Sequence, residues 1–191
     1  MKILVIDACV RGEVSRTRKL YEKLIEDQVH KAEIEILKLA DQDLKPLTAE
    51  QVDLRVKLVN SGKFEHEMFR YAHQFKEADL IIVAAPYWDL SFPSILKVYL
   101  EHVAVTGITF GYEGADCVGY CRAKKIIYLS TCGGFVNGPH LGAEYVKMYA
   151  DMLGIHDFSE FSVQGLDIDP SQEAMLMAQG REEMLSKNLL S

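Results

Sequence analysis

"KILVIDACVRGEVSRT", Lys2 to Thr17, sets two patterns back to back. Lys2–Ala8 is a nearly continuous apolar run, the pattern of a parallel strand buried on both faces. A polar loop follows, with Cys9, Arg11, Ser15, Arg16 and Thr17 close together. Leu20, Tyr21, Leu24, Ile25 and Val29 then form the stripe of a helix from Ser15 to about His30. The first N–H groups of such a helix lack intrahelical partners and carry partial positive charge. Ser15 and Thr17 add hydroxyls, and Arg16 or Arg11 adds full charge. Strand, loop and helix together read as a βα unit with an anion site at the helix N-terminus. The plainer alternative is that Ser15 only caps the helix.

The same grammar repeats outward. "LIIVAAP" (Leu80–Pro86) and "KKIIYLST" (Lys124–Thr131) are further apolar runs, while "EIEILKL" (Glu33–Leu39) alternates and suits an edge. "FSEFSVQGL" (Phe158–Leu166) is a weaker strand for the other edge. Helical stripes lie between: Phe64, Met68, Tyr71, Ala72 and Phe75; Ile95, Leu96, Tyr99, Leu100 and Val103, with Pro93 in the first turn; and Tyr145, Met148, Tyr149 and Met152, stopped by Gly154. A last helix is expected from about Pro170 to Asn188. Alternating strands and helices imply an α/β fold: a doubly wound, five-stranded parallel sheet of order 2-1-3-4-5 with helices on both faces. No linker or repeat divides residues 1–191, so one domain is expected.

Composition narrows the function. The net charge of -7 opposes a nucleic-acid partner, whose phosphates need a basic surface, and opposes an anionic membrane. No run approaches the roughly 20 apolar residues of a membrane span. Asp7 interrupts the first apolar run, which lacks a small-residue cleavage site, so it is not a targeting segment. Cys9, Cys117, Cys121 and Cys132 are scattered without paired C-x-x-C motifs, which suits free thiols in the cytoplasm better than a metal site.

In a doubly wound sheet, ligands bind beyond the carboxyl ends of the strands near the switch in strand order. That rule selects three loops. The first is Cys9–Thr17. Its cysteine and arginine bring to mind the C-x5-R-[ST] loop of tyrosine phosphatases, but six residues separate Cys9 from Arg16, one too many for a loop that must wrap a phosphate. The second, after Pro86, places Tyr87, Trp88, Asp89 and Leu90 beyond a central strand, where large aromatics can wall in a planar ring. The third contains Thr131, Cys132, Gly133 and Gly134. Its glycines admit close backbone approach and positive φ, and their N–H groups can form an anion-stabilising nest. A phosphate end, an aromatic wall and a backbone-lined edge match flavin mononucleotide (FMN) better than a simple phosphate.

These motifs resemble those of the flavodoxin-fold, FMN-dependent NADH:quinone oxidoreductases and azoreductases. Ser15-Arg16-Thr17 corresponds to that family's S-x-[ST] phosphate loop. Ala84–Leu90 corresponds to A-A-P-M-Y-N-F, Gly107–Tyr112 to G-V-T-F-x-Y, and Thr131–Gly134 to S-R-G-G. Here a serine early in the phosphate loop is replaced by Cys9, the ring wall is Tyr-Trp-Asp-Leu, and the arginine of S-R-G-G is Cys132. The resemblance implies a flavodoxin-like domain that binds FMN and carries electrons from NAD(P)H to a quinone or azo acceptor. No G-x-G-x-x-G is present for a second dinucleotide, so donor and acceptor are expected to take turns in a ping-pong cycle. Two other functions fit the fold: a flavodoxin-like carrier without NAD(P)H oxidation, and a non-enzymatic nucleotide-binding regulator. The helix from about Phe92 to Ala104 is apolar on more than one face, which together with the resemblance implies a homodimer with the flavin near the interface.

Overall fold

The computed structural model describes residues 1–190. In chain order the elements are β1 (Lys2–Asp7), α1 (Arg16–Ile25), β2 (Glu33–Lys38), α2 (Ala49–Asn60), α3 (Arg70–Glu77), β3 (Leu80–Ala84), α4 (Ser94–Val103), β4 (Phe110–Glu113), β5 (Asp116–Gly119), β6 (Lys125–Thr131), α5 (Leu141–Met152), β7 (Asp157–Val163) and α6 (Glu173–Ser186). Five strands pair in parallel in the order β2-β1-β3-β6-β7. Counted within that sheet, this is the expected 2-1-3-4-5. The two remaining strands form a separate antiparallel hairpin, β4 on β5.

The three central strands are apolar along their middles because the sheet is covered on both sides. Leu4, Ile6, Ile81, Val83, Ile126 and Tyr128 pack with residues of α3, α4 and α5. Ile3, Val5, Ile82, Ala84, Ile127 and Leu129 pack with α1 and α6. The edge strands β2 and β7 are only partly buried, as their mixed composition requires. Among the described residues no helix is long and apolar enough to cross a membrane.

Element boundaries depart from the sequence reading in several places. α1 stops at Ile25 and a 3-10 turn, Glu26–Gln28, replaces its last turn. The stripe from Phe64 splits into a 3-10 turn, Glu67–Phe69, and α3; Phe64 and Phe69 join Val105 and Ile108 in a small satellite core. Pro93 is the N-cap of α4 and not a first-turn residue. α6 is shorter than expected, with a 3-10 turn at Pro170–Gln172 before it. α2 and the β4–β5 hairpin occupy Leu44–Gly62 and Phe110–Cys121, where no regular element was expected.

Candidate active site

The carboxyl ends of β1, β3 and β6 converge on a cleft of about 190 Å3. The first loop contributes Arg11, Ser15 and Arg16; the second contributes Pro86, Tyr87 and Trp88; the third contributes Thr131 and Gly133. Asp167, just beyond β7, completes the lining. A larger cavity of about 540 Å3 opens at the opposite end of the sheet, beside Met1, Lys2, Glu33, Asp79 and Arg122. That cavity is open, mixed in charge and without aromatic walls, and it lies at the amino ends of the strands, where doubly wound sheets do not bind ligands.

At the N-terminus of α1, the Ser15 hydroxyl accepts a hydrogen bond from the Arg18 N–H at 3.4 Å. The N–H groups of Arg16 and Thr17 then have no intrahelical acceptor. Thr17 is wholly buried, and its Oγ1 lies 2.6 Å from Thr131 Oγ1, so this hydroxyl joins α1 to β6 and does not line the cleft. Cys9 also turns inward: it is 1% exposed, and its Sγ points to the Ala84 carbonyl at 3.7 Å. Burial first, and the charge of Asp7 second, push its thiol far above the usual cysteine range. A protonated, enclosed sulfur cannot attack a phosphate, which disposes of the phosphatase chemistry on physical grounds as well as on spacing.

The three arginines of this region have different environments. Arg18 is buried against Asp7, with Nε and Nη2 at 2.9 and 2.6 Å from Asp7 Oδ2, and its Nη1 reaches Glu13. Arg16 places Nη1 2.7 Å from Asp167 Oδ1 and Nη2 2.9 Å from Glu173 Oε2. Arg11 is exposed and has no carboxylate partner among the described residues.

In the second loop, the Tyr87 N–H donates to the Thr131 carbonyl at 3.0 Å, which fixes the aromatic wall to the third loop. The Tyr87 ring meets His140 edge to face, with centroids 4.7 Å apart. Trp88 is partly exposed, and Trp88 and Ser91 exchange backbone hydrogen bonds of 3.2 and 2.8 Å across a two-residue turn. Asp89 and Leu90 occupy that turn with φ of 48° and 68°. Positive φ at both positions is the demand of a type I′ turn, usually met by Asn-Gly.

The third loop corrects one expectation: neither Gly133 nor Gly134 adopts positive φ. Glycine at position 133 gives the Asp167 carboxylate room, since a Cβ there would sit 2.1 Å from Asp167 Oδ2 and would displace it. Gly165, Leu166 and Asp167 donate backbone hydrogen bonds to the carbonyls of Gly134, Cys132 and Gly133, binding this loop to the chain after β7. Cys132 is buried with its Sγ 3.4 Å from Ser162 Oγ, and burial raises its pKa.

Sequence reasoning missed Asp167, Glu173 and His140. Asp167 follows the carboxyl end of β7 directly, so the strand-end rule applied to a fourth strand points to it. His140 caps α5: its Nδ1 accepts from the Ala143 N–H at 3.1 Å, which places the proton on Nε2, 3.3 Å from Ser130 Oγ. Burial lowers its pKa below the ordinary histidine value, so the ring behind Tyr87 is neutral near pH 7.

Comparison with known proteins agrees with this architecture. Residues 1–187 match the family model described as flavodoxin-like fold. The chain is 40% identical over 176 residues to FMN-dependent NADH:quinone oxidoreductase 2 of Clostridium acetobutylicum, covering 87% of this chain and 88% of that protein. It is 32% identical over 188 residues to the FMN-dependent NADH:quinone oxidoreductase of Lachnoclostridium phytofermentans, covering 95% of each. The crystal structure of azoreductase from Bacillus anthracis shares the fold, with a TM-score of 0.83, 24% identity and 96% of both chains covered. The chain belongs to the flavodoxin-like family whose relatives include the FMN-dependent NADH:quinone oxidoreductases.

Proposed function

We infer that this protein is an FMN-dependent oxidoreductase that takes two electrons from NAD(P)H and passes them to a quinone or azo acceptor. The observation that carries this reading is one cleft with two chemically different ends, at the switch in strand order. One end offers Arg11, Ser15 and unpaired helix N–H groups; the other offers Pro86, Tyr87 and Trp88. An anionic tail joined to a flat ring is what such a donor set accommodates. FMN, when bound, supplies reversible hydride chemistry that no side chain here can perform.

The chain's own residues bind, orient and shield. Ser15, Arg11 and the start of α1 would hold the phosphate. Tyr87 and Trp88 would flank the ring, with the backbone of Asp89–Leu90 and of Gly133–Gly134 toward its edge. N–H groups of the third loop would favour negative charge at that edge. No acidic or basic side chain is required at the reacting atoms. One open cleft serves donor and acceptor in turn, which gives ping-pong kinetics. The cleft of about 190 Å3 is smaller than the several hundred Å3 of complete ligand pockets, and a second copy of the chain is the surface that closes it. Four unbridged cysteines agree with a cytoplasmic location.

The purified protein should be yellow and bleach on anaerobic addition of NADH, with oxidised colour restored by a quinone. A flavin spectrum that NADH leaves unchanged would mark an electron carrier lacking this activity. A colourless protein that takes up no FMN would remove the flavin altogether.

A further inference from the structure

Of the arginines around the phosphate end, the sequence offers Arg11 and Arg16 as alternatives. The structure separates them. Arg16 already spans two carboxylates, Asp167 at 2.7 Å and Glu173 at 2.9 Å. A guanidinium shared by two carboxylates has its charge and its Nη donors already engaged. The backbone around the pair is fixed: Asp167 donates to the Gly133 carbonyl at 2.8 Å, and its carboxylate lies over the Gly133 Cα. Arg18 is enclosed, 4% exposed, with its charge matched by Asp7. Lys38, the other cation close to this loop, faces Glu13 at 3.8 Å. Arg11 alone lines the cleft without a carboxylate on it.

We propose that Arg11 is the phosphate-recognition residue of this site, the one that distinguishes a phosphorylated flavin from its unphosphorylated form, and that Arg16 is a positioning strut. In this division of labour Arg16 ties α1 to the segment before α6 and so holds the third loop in place. Arg11 supplies the one uncompensated charge that a dianionic phosphate meets. The proposal rests on the flavin reading of the cleft and deepens it.

The test compares FMN with riboflavin, which differ only in the phosphate, by fluorescence titration of flavin-free protein. Arg11→Gln should lower FMN affinity about tenfold to a hundredfold, the size expected for a charge-assisted hydrogen bond. Riboflavin affinity and thermal stability should stay close to the parent's, because Arg11 is exposed and pairs with no carboxylate among the described residues. Arg11→Lys should recover part of the loss as a point charge. R16Q/D167N/E173Q removes the strut with its two carboxylates; a displaced third loop affects FMN and riboflavin alike, so the ratio of the two affinities should stay within about threefold of the parent's whatever the loss in each. The proposal is overturned if Arg11→Gln binds FMN like the parent, if it weakens both flavins equally, or if the triple variant lowers the FMN-to-riboflavin affinity ratio as much as Arg11→Gln. A parent protein that binds neither flavin overturns the flavin reading itself, and the proposal with it.

Discussion

Asp7 and Arg18 form the most buried ion pair of the molecule, at the junction of β1 and α1, with side chains 1% and 4% exposed. Asp7 is fully served: Oδ2 receives Arg18 and the Tyr21 hydroxyl at 3.0 Å, and Oδ1 receives the Cys9 N–H at 2.8 Å. The arrangement sets the direction in which the chain leaves the sheet, and hence the position of the first cleft loop. Arg18→Ala would leave a buried carboxylate with no cation, a change that costs about 3–5 kcal/mol. Replacing both residues by apolar ones, D7L/R18M, should recover only part of that, because the desolvation penalty of both charges disappears while the Cys9 N–H and the Tyr21 hydroxyl lose their acceptor. Urea denaturation of the two variants measures the difference. His140 gives a second residue-scale prediction, in pH. Burial lowers its pKa and outweighs the opposing pull of Glu160. The unfolded ring, with a pKa of about 6.5, therefore takes up a proton where the folded ring does not. Its contribution is full above that value and is lost as pH falls below it toward the folded pKa. His140→Asn keeps an N-cap for α5 and removes the titration. Between about pH 7.5 and pH 5.5 the melting temperature of the parent should fall further than that of this variant. Equal falls would show that other groups carry the pH dependence.

At the scale of elements, the turn after β3 carries the clearest local conflict. Leu90 holds a φ of 68° while its side chain is 64% exposed, so little packing offsets the conformation. A left-handed conformation costs a side-chain-bearing residue about 1–2 kcal/mol, and glycine's extra chain entropy about 0.5–1 kcal/mol. Leu90→Gly should therefore stabilise the protein by about 0.5–1 kcal/mol in urea titrations. A loss of stability would mean that the leucine side chain makes contacts worth more than the strain. Which elements the sequence disclosed follows from how each is built. β1, β3 and β6 were legible because both faces of each are buried, which confines polar residues to the strand ends. α2 was not, because Val52, Leu54, Val56 and Leu58 alternate with period two and only Leu58 is buried. Its signal was the Thr48–Gln51 capping box and not a stripe. The β4–β5 hairpin is short, and its mark was Gly114 at φ 66°. The site divides the same way. The three loops were found from strand ends, but the inward turn of Cys9 and Thr17 depends on packing across β3 and β6. The pairing of Arg16 with Asp167 joins residues 151 positions apart, a relation that no local pattern encodes.

At the scale of the whole molecule, α5 and not α4 presents the apolar surface that a second copy would cover. Leu96, Tyr99, Leu100 and Val103 of α4 are all absorbed into the core, and only Ile95 and Val98 remain half-buried. The unpartnered stripe belongs to α5. Leu141, Tyr145 and Met148 stand at helical spacing and are 50%, 37% and 73% exposed. Phe92, at the entry to α4, meets Tyr145 edge to face at 5.5 Å, so this apolar surface continues from α5 to the loop that carries Trp88 and Leu90. An exposed apolar surface reaching the mouth of an under-sized cleft suits a twofold contact, in which each copy covers the cleft of the other. The charge of -7 per chain opposes association, but at physiological salt it is screened over about 8 Å and leaves apolar contact in control. Sedimentation at micromolar concentration should give one species of twice the 21.6 kDa chain mass. Met148→Glu places a charge in the middle of the stripe and should shift the protein toward monomer. Bound flavin should become more accessible to an added quencher in the same variant, since the covering copy is gone. A parent protein that sediments at 21.6 kDa would end the dimer and leave the cleft open to solvent as it stands. A Met148→Glu protein that remains dimeric would move the interface away from α5.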